Sequence, residues 1–348
     1  MRPLTFVSLL LLILLTHAPA RGQVLLFEHD GIDRRYRLHL PGNLPADAPL
    51  VLVLHGYGGG GASMMNGYGW RELADQEGFA VVFPDGTRDQ WNSRFWQVGY
   101  EFHLGLAVDD DDFLVALAGF LQQQHRLDPE RTFVTGLSNG GDMSYQLACR
   151  HSDVFAGFAP VVGTMMDELY LECDPTFPRP ILAMNGTADD ITLFEGDPDN
   201  RDGWGAYRSI PEVVERWTGI LSTPVLESAT LPDAVPGDGS TIDFDRHRSF
   251  EHPREFRFYR VVNGGHDWPG RSGNMDIDAT REIWEFFASI TIDEPGDPAD
   301  LDRDGRVDAS DLGVLLGAWG PASDGGDLNG DGNTDSADVG LLLGAWTG

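Results

Sequence analysis

Apolar runs recur along residues 23–292, and each is short. Residues 50–54 are Leu-Val-Leu-Val-Leu, a run with no polar alternation, as expected of a strand buried on both faces. Residues 79–83, 132–135, 181–184 and 256–262 repeat the pattern, and stretches of helical periodicity stand between them. Residues 143–150, 211–219 and 278–289 read as helices. Strands alternating with helices predict an α/β fold, a mostly parallel sheet flanked by helices. Residues 193–255 are less regular and are expected to build a substrate pocket.

The pattern changes at both ends. Arg2, an apolar stretch over 4–15 and Ala18-Pro19-Ala20 have the layout of an export signal over residues 1–22. An uncleaved anchor is the other reading, although the stretch is short for a span of about 20 residues. The protein is therefore expected outside the cell, secreted or attached to the cell surface. After residues 23–292, an acidic Pro/Gly linker over 293–298 leads into residues 299–348, which contain an internal repeat. Asp-Leu-Asp-Arg-Asp-Gly from Asp300 is answered by Asp-Leu-Asn-Gly-Asp-Gly from Asp327, and each copy ends in Leu-Leu-Gly-Ala-Trp.

Charge narrows the partners. The 348 residues carry 24 basic and 55 acidic side chains, a net −31, and every basic one is Arg. Such a field repels phosphate backbones and anionic membranes, which argues against nucleic acid and lipid surfaces. The glycine-rich stretch after His55 is not a phosphate-binding P-loop, because that motif needs a Lys. The only cysteines, Cys149 and Cys173, form no zinc-ligand cluster; in an exported chain they are either one disulfide or two buried thiols.

Gly136-Leu137-Ser138-Asn139-Gly140 fits the strand-to-helix turn that lifts a serine hydroxyl off a sheet. Serine needs a base, and the base an orienting carboxylate. Asp189 follows the fourth apolar run and His266 the last, in the chain order Ser, Asp, His, both in loops at the carboxyl ends of strands. Asp190 is a rival for the acid. The backbone N–H groups of Tyr57 and Asn139 are placed to form an oxyanion hole. Trp268, beside His266, is a candidate substrate-binding ring; Trp91, Trp96 and Trp204 could add to an aromatic platform or simply pack. Asp109, Asp110, Asp111 and Asp112 read as the cap of a helix.

These motifs together resemble the secreted esterases grouped with polyhydroxybutyrate depolymerases and feruloyl or acetylxylan esterases. The resemblance rests on Leu54-His55-Gly56-Tyr57-Gly58-Gly59, Pro84-Asp85-Gly86, the serine motif, Asn185-Gly186-Thr187-Ala188-Asp189 and Gly264-Gly265-His266-Asp267-Trp268-Pro269-Gly270, in family order. It implies an α/β-hydrolase fold, catalysis by Ser138, Asp189 and His266 without a cofactor, and a Cys149–Cys173 disulfide. It also implies ester substrates on plant polysaccharide or in polyester. Two departures stand out: Asn185 replaces a His, and Thr192-Leu193-Phe194 replaces a Val-Pro-Tyr-like segment. A non-catalytic adhesion protein on the same scaffold is the competing reading.

The tail places oxygen donors at alternate positions of two loops, with Gly at position six, as calcium requires. The first loop offers Asp300, Asp302, Asp304, the Arg306 carbonyl, Asp308 and Asp311. The second offers Asp327, Asn329, Asp331, the Asn333 carbonyl, Asp335 and Asp338. Two such loops, each followed by a helix, resemble a dockerin: a small all-α module holding two calcium ions. That resemblance implies a cohesin-type scaffold as partner, with a cell-surface anchor as the alternative.

Overall fold

The computed structural model describes residues 23–249, 254–290, 299–302, 306–321, 326–329 and 331–347. The export signal, the linker over 293–298 and Asp304 lie outside them. Ten strands form one sheet: β1 (Leu25–His29), β2 (Ile32–His39), β3 (Ala48–Leu54), β4 (Ala80–Pro84), β5 (Leu127–Leu137), β6 (Gly157–Val161), β7 (Ile181–Gly186), β8 (Val225–Thr230), β9 (Thr241–Arg248) and β10 (Glu255–Val262). Their order is β1-β2-β4-β3-β5-β6-β7-β10-β9-β8. Pairing is parallel from β4 through to β10, and antiparallel where β1 and β2 extend one edge and β9 and β8 the other.

The expected parallel centre is present, and the apolar runs fall within it. Residues 193–255 differ from expectation, since they contain two antiparallel strands as well as a helix. Strand β9 (Thr-Ile-Asp-Phe-Asp-Arg-His-Arg), next to the sheet's edge, has only Ile242 and Phe244 as apolar members, so it lacks the continuous apolar run that marks the central strands.

Alternation along β3 explains the two-sided core. Leu50, Leu52 and Leu54 face the layer of α2 (Asp110–His125), α3 (Asn139–Arg150) and α4 (Ile210–Ile220). Val51 and Val53 face α1 (Trp70–Glu77) and α5 (Ala279–Ser289). Helix α2 starts at Asp109, whose carboxylate accepts the Asp112 N–H at 3.0 Å. Asp110 and Asp111 do more than cap: Asp110 is buried against Arg34 and accepts the Gln97 N–H, while Asp111 accepts from Gln146 and Arg150. Cys149, on α3, is joined by a disulfide to Cys173.

Trp268 is not a substrate platform. It is 1% exposed, packs edge-on against Tyr68 and Trp70, and donates its indole N–H to Thr280 Oγ1 at 3.1 Å. The apolar area of the ring drives it into the α1/α5 layer, where a side-chain hydroxyl satisfies its one polar group. Trp96 is likewise buried, and donates its indole N–H to the His55 carbonyl.

In the tail, α6 (Ala309–Gly317) and α7 (Ser336–Gly344) pack around Val307, Leu315 and Leu342. Each begins with an Asp whose carboxylate and that of the Asp three residues on close a capping box, Asp308 with Asp311 and Asp335 with Asp338. The tail is not wholly helical: Gly320–Pro321 pairs with Asn333–Thr334.

The core position of Trp268 generates a stability prediction. Trp268→Ala is expected to lower unfolding free energy by about 3–5 kcal/mol, the usual cost of emptying a buried aromatic site. Urea denaturation measures it, and a loss below about 1 kcal/mol would contradict this placement.

Candidate active site

Ser138 sits where β5 turns into α3, with φ 57° and ψ −122°, a left-handed conformation that is strained for a residue with a Cβ. Two glycines make the turn possible by removing atoms. A Cβ on Gly136 would fall 2.3 Å from the Gly140 carbonyl oxygen, and one on Gly140 would fall 2.5 Å from that of Leu54. The Ser138 N–H donates to Val161 O at 2.9 Å, tying the turn to β6.

Asp189 and His266 come from the loops after neighbouring strands β7 and β10. The loops are bound together: the Thr187 N–H donates to Val261 O, that of Ala188 to Gly264 O, and that of Asn263 to Thr187 Oγ1. His266 Nδ1 lies 2.8 Å from Asp189 Oδ2 and 3.1 Å from Oδ1. The Asp189 carboxylate is almost fully buried, and its Oδ1 also accepts the N–H groups of Ile191 and Thr192. Those two donors fix the carboxylate, and the carboxylate fixes the tautomer and orientation of the ring. Asp189, not Asp190, holds His266. Asn185, which departs from the family motif, is buried and donates its amide to Gly163 O.

The glycine-rich loop lies against Ser138: a Cβ on Gly56 would be 3.3 Å from that of Ser138 and 3.8 Å from its Oγ. The next residue is Tyr57, whose hydroxyl donates to Asp89 Oδ2 at 2.6 Å. Asn139 opens α3, and a first helical N–H has no acceptor within its own helix. Its side chain is committed elsewhere, exchanging hydrogen bonds with the backbone of Trp96. His55 braces the loop from beneath. Its Nδ1 donates to Gly56 O and its Nε2 accepts the Gly86 N–H, while burial pulls its pKa down to about 4. It is a neutral strut.

An aromatic cluster continues outward from Tyr57. Trp204 meets Tyr57, Tyr100 and Phe102 edge-on at 5.1–5.5 Å between ring centres, and Phe102 in turn meets the exposed Trp91. Asp89 anchors this loop, accepting from the Tyr57 hydroxyl, His103 and the N–H groups of Trp91 and Ser93. Burial alone would raise the carboxyl of Asp89, but these donors outweigh it and hold the pKa below the usual value. Of the tryptophans considered from sequence, Trp91 and Trp204 belong to this surface. Asp89, Tyr100 and Phe102 were not legible, because only tertiary packing brings them beside Tyr57.

In the first tail loop, ligand atoms of Asp300, Asp302 and Asp311 lie within 4.8 Å of one another. Asp311 Oδ1 accepts the N–H groups of Leu301 and Asp302, and Oδ2 that of Asp308. Asp338 does the same for Leu328, Asn329 and Asp335. Position twelve of each loop thus closes the loop on itself. Hard carboxylate oxygens gathered this closely fit a calcium ion.

Comparison with known proteins agrees with the geometry. Residues 35–194 match the family described as Esterase PHB depolymerase. The chain is 33% identical over 258 residues to "Putative esterase NocK" of Nocardia uniformis subsp. tsuyamanensis, covering 69% of this chain and 72% of that protein. It is 27% identical over 280 residues to poly(3-hydroxyalkanoate) depolymerase C of Paucimonas lemoignei, covering 72% and 66%. An acetyl xylan esterase from Aspergillus awamori superposes with a TM-score of 0.54 at 14% identity, over 73% of this chain and 94% of that one, a likeness of α/β-hydrolase fold. The chain is a carboxylic-ester hydrolase and belongs to the esterase PHB depolymerase family.

Proposed function

We propose that the protein is an exported serine carboxylesterase that releases feruloyl or acetyl groups from plant polysaccharide through an acyl-enzyme. The observation that carries the mechanism is the 2.8 Å contact between His266 Nδ1 and a buried, doubly anchored Asp189, on loops at the same sheet end as the strained Ser138. Ser138 Oγ attacks the ester carbonyl while His266 Nε2 takes its proton. Negative charge developing on the carbonyl oxygen is met by the N–H groups of Tyr57 and Asn139. His266 returns the proton to the departing alcohol, then activates the water that releases the acid. Asp189 holds the ring in place throughout and stabilises the imidazolium.

The aromatic surface of Tyr57, Phe102, Trp204 and exposed Trp91 supports the substrate class. Flat rings suit a feruloyl group or a sugar face. A polyester chain is the second reading, favoured by the likeness to a poly(3-hydroxyalkanoate) depolymerase.

For the tail the reading is two calcium ions and a tether. Asp300, Asp302, Asp304, Asp308, Asp311 and the Arg306 carbonyl would hold one ion. Asp327, Asn329, Asp331, Asp335, Asp338 and the Asn333 carbonyl would hold the other. Calcium would offset the mutual repulsion of these carboxylates. Leu316, Trp319, Leu341, Leu343 and Trp346 leave apolar surface exposed on α6, α7 and the residues after them, supporting a protein partner such as a cohesin-type scaffold or a surface anchor.

Ser138→Ala is expected to lower kcat for p-nitrophenyl acetate on the order of 10⁴-fold or more, with the circular dichroism spectrum unchanged. Retention of a tenth of the activity would remove the nucleophile assignment. Asp189→Asn should cost far more than Asp190→Asn, and the reverse order would move the acid. Methyl ferulate, acetylated xylan and polyhydroxybutyrate assayed side by side decide the substrate class. Chelation is expected to expose residues 299–348 to protease while esterase activity persists. Protection indifferent to calcium would end the metal reading.

A further inference from the structure

Asp142 is a buried carboxylate that the acyl-transfer steps do not use. It lies one helical turn beyond Ser138, and its N–H donates to the Ser138 carbonyl at 2.9 Å. Its Oδ2 accepts the Tyr100 hydroxyl at 2.6 Å and its Oδ1 the Thr164 N–H at 2.7 Å. Three pieces of chain meet at this one side chain: the nucleophile helix, the aromatic loop carrying Tyr100, and the segment after β6. The ring of Tyr100 supports Trp204. The Tyr100 hydroxyl touches Asp142, and the hydroxyls of Tyr145 and Tyr207, the Asp189 carboxylate and the His266 imidazole act on it electrostatically. Among these His266 is the one that becomes cationic during the reaction.

We propose that Asp142 is a positioning residue of the hydrolytic site, which fixes the aromatic loop against the nucleophile helix and adds a negative charge to the surroundings of His266. The inference rests on the reading of Ser138, Asp189 and His266 as the acyl-transfer machinery. A negative charge near an imidazole favours its protonated form, so ionised Asp142 stabilises the imidazolium of the transition state and protonated Asp142 does not. Burial pushes the Asp142 pKa up to about 7, although the Tyr100 and Thr164 hydrogen bonds oppose this.

The sign for stability follows. An Asp whose pKa is raised on folding favours the native state in its protonated form. The favourable contribution is complete below the ordinary value of 3.8 and is lost as pH rises through about 7.

The test is kcat/KM for p-nitrophenyl acetate from about pH 5 to 9, measured for the wild type, Asp142→Asn and Tyr100→Phe. In Asp142→Asn the amide keeps the shape and can still accept from Thr164. Its acid limb is expected to follow a single ionisation in place of two. The plateau should fall several-fold, in kcat rather than KM. Its folding stability should decline less than that of the wild type between about pH 4 and 8, roughly the window bounded by the two pKa values of Asp142. Tyr100→Phe keeps the carboxylate but removes a donor that favours its charged form, so the upper ionisation should move to higher pH. A profile in Asp142→Asn that matches the wild type overturns the proposal. If that variant does not fold, an unshifted profile in Tyr100→Phe does so alone. Activity surviving in Ser138→Ala would instead overturn the acyl-transfer reading beneath it.

Discussion

Everything at the site depends on how closely α3 approaches β3 and β5. Ser138 can occupy its strained conformation only because Gly136 and Gly140 carry no side chains at the contact. A non-glycine residue held at positive φ costs roughly 1–3 kcal/mol, and the surrounding sheet and helix supply the opposing packing. The turn opens α3 directly behind Ser138, so the first helical N–H groups, which have no acceptor in their own helix, follow it at once. Gly141 packs against Gly163, so the helix also fixes the segment that meets Asp142. The Ser138 turn, the start of α3 and the Asp142 junction thus share one steric origin.

A second layer of order comes from carboxylates used as internal anchors. Asp85 accepts the Gly61 N–H at 2.7 Å and pairs with Arg37 and Arg94, holding the glycine-rich stretch from behind. Asp89 gathers four donors under the aromatic loop. Asp110 and Arg34 form a buried pair beside it. Each of these is hydrogen-bonded from several sides, the condition under which a buried charge is tolerated. The large negative charge of the chain is therefore partly structural, and loops near Ser138 owe their shape to it.

The central strands and the serine, aspartate and histidine motifs were legible in the sequence because each obeys a local rule. Residues 50–54 and 79–83 are buried on both faces and so are continuously apolar. Gly136, Ser138 and Gly140 are dictated by one tight turn. Trp268 was misread because its neighbour in sequence is His266, whereas its neighbours in space are Tyr68, Trp70 and Thr280. The outer strands β1, β8 and β9 are only partly buried or exposed, and their mixed composition gives no run to detect. Tyr100 and Asp142 are 42 positions apart, and only the packed loop brings hydroxyl and carboxylate together. In the tail, the capping role of Asp311 and Asp338 was hidden behind their position in the repeat.

The central claim is that the strained turn presents Ser138 as a nucleophile activated by His266. Reaction with a fluorophosphonate ester, followed by peptide mapping, tests it directly, because the probe forms a covalent adduct only with an activated hydroxyl. The account predicts one adduct, on Ser138, lost in His266→Ala while that variant stays folded. No adduct on the native protein, or an adduct on any other residue, would contradict it.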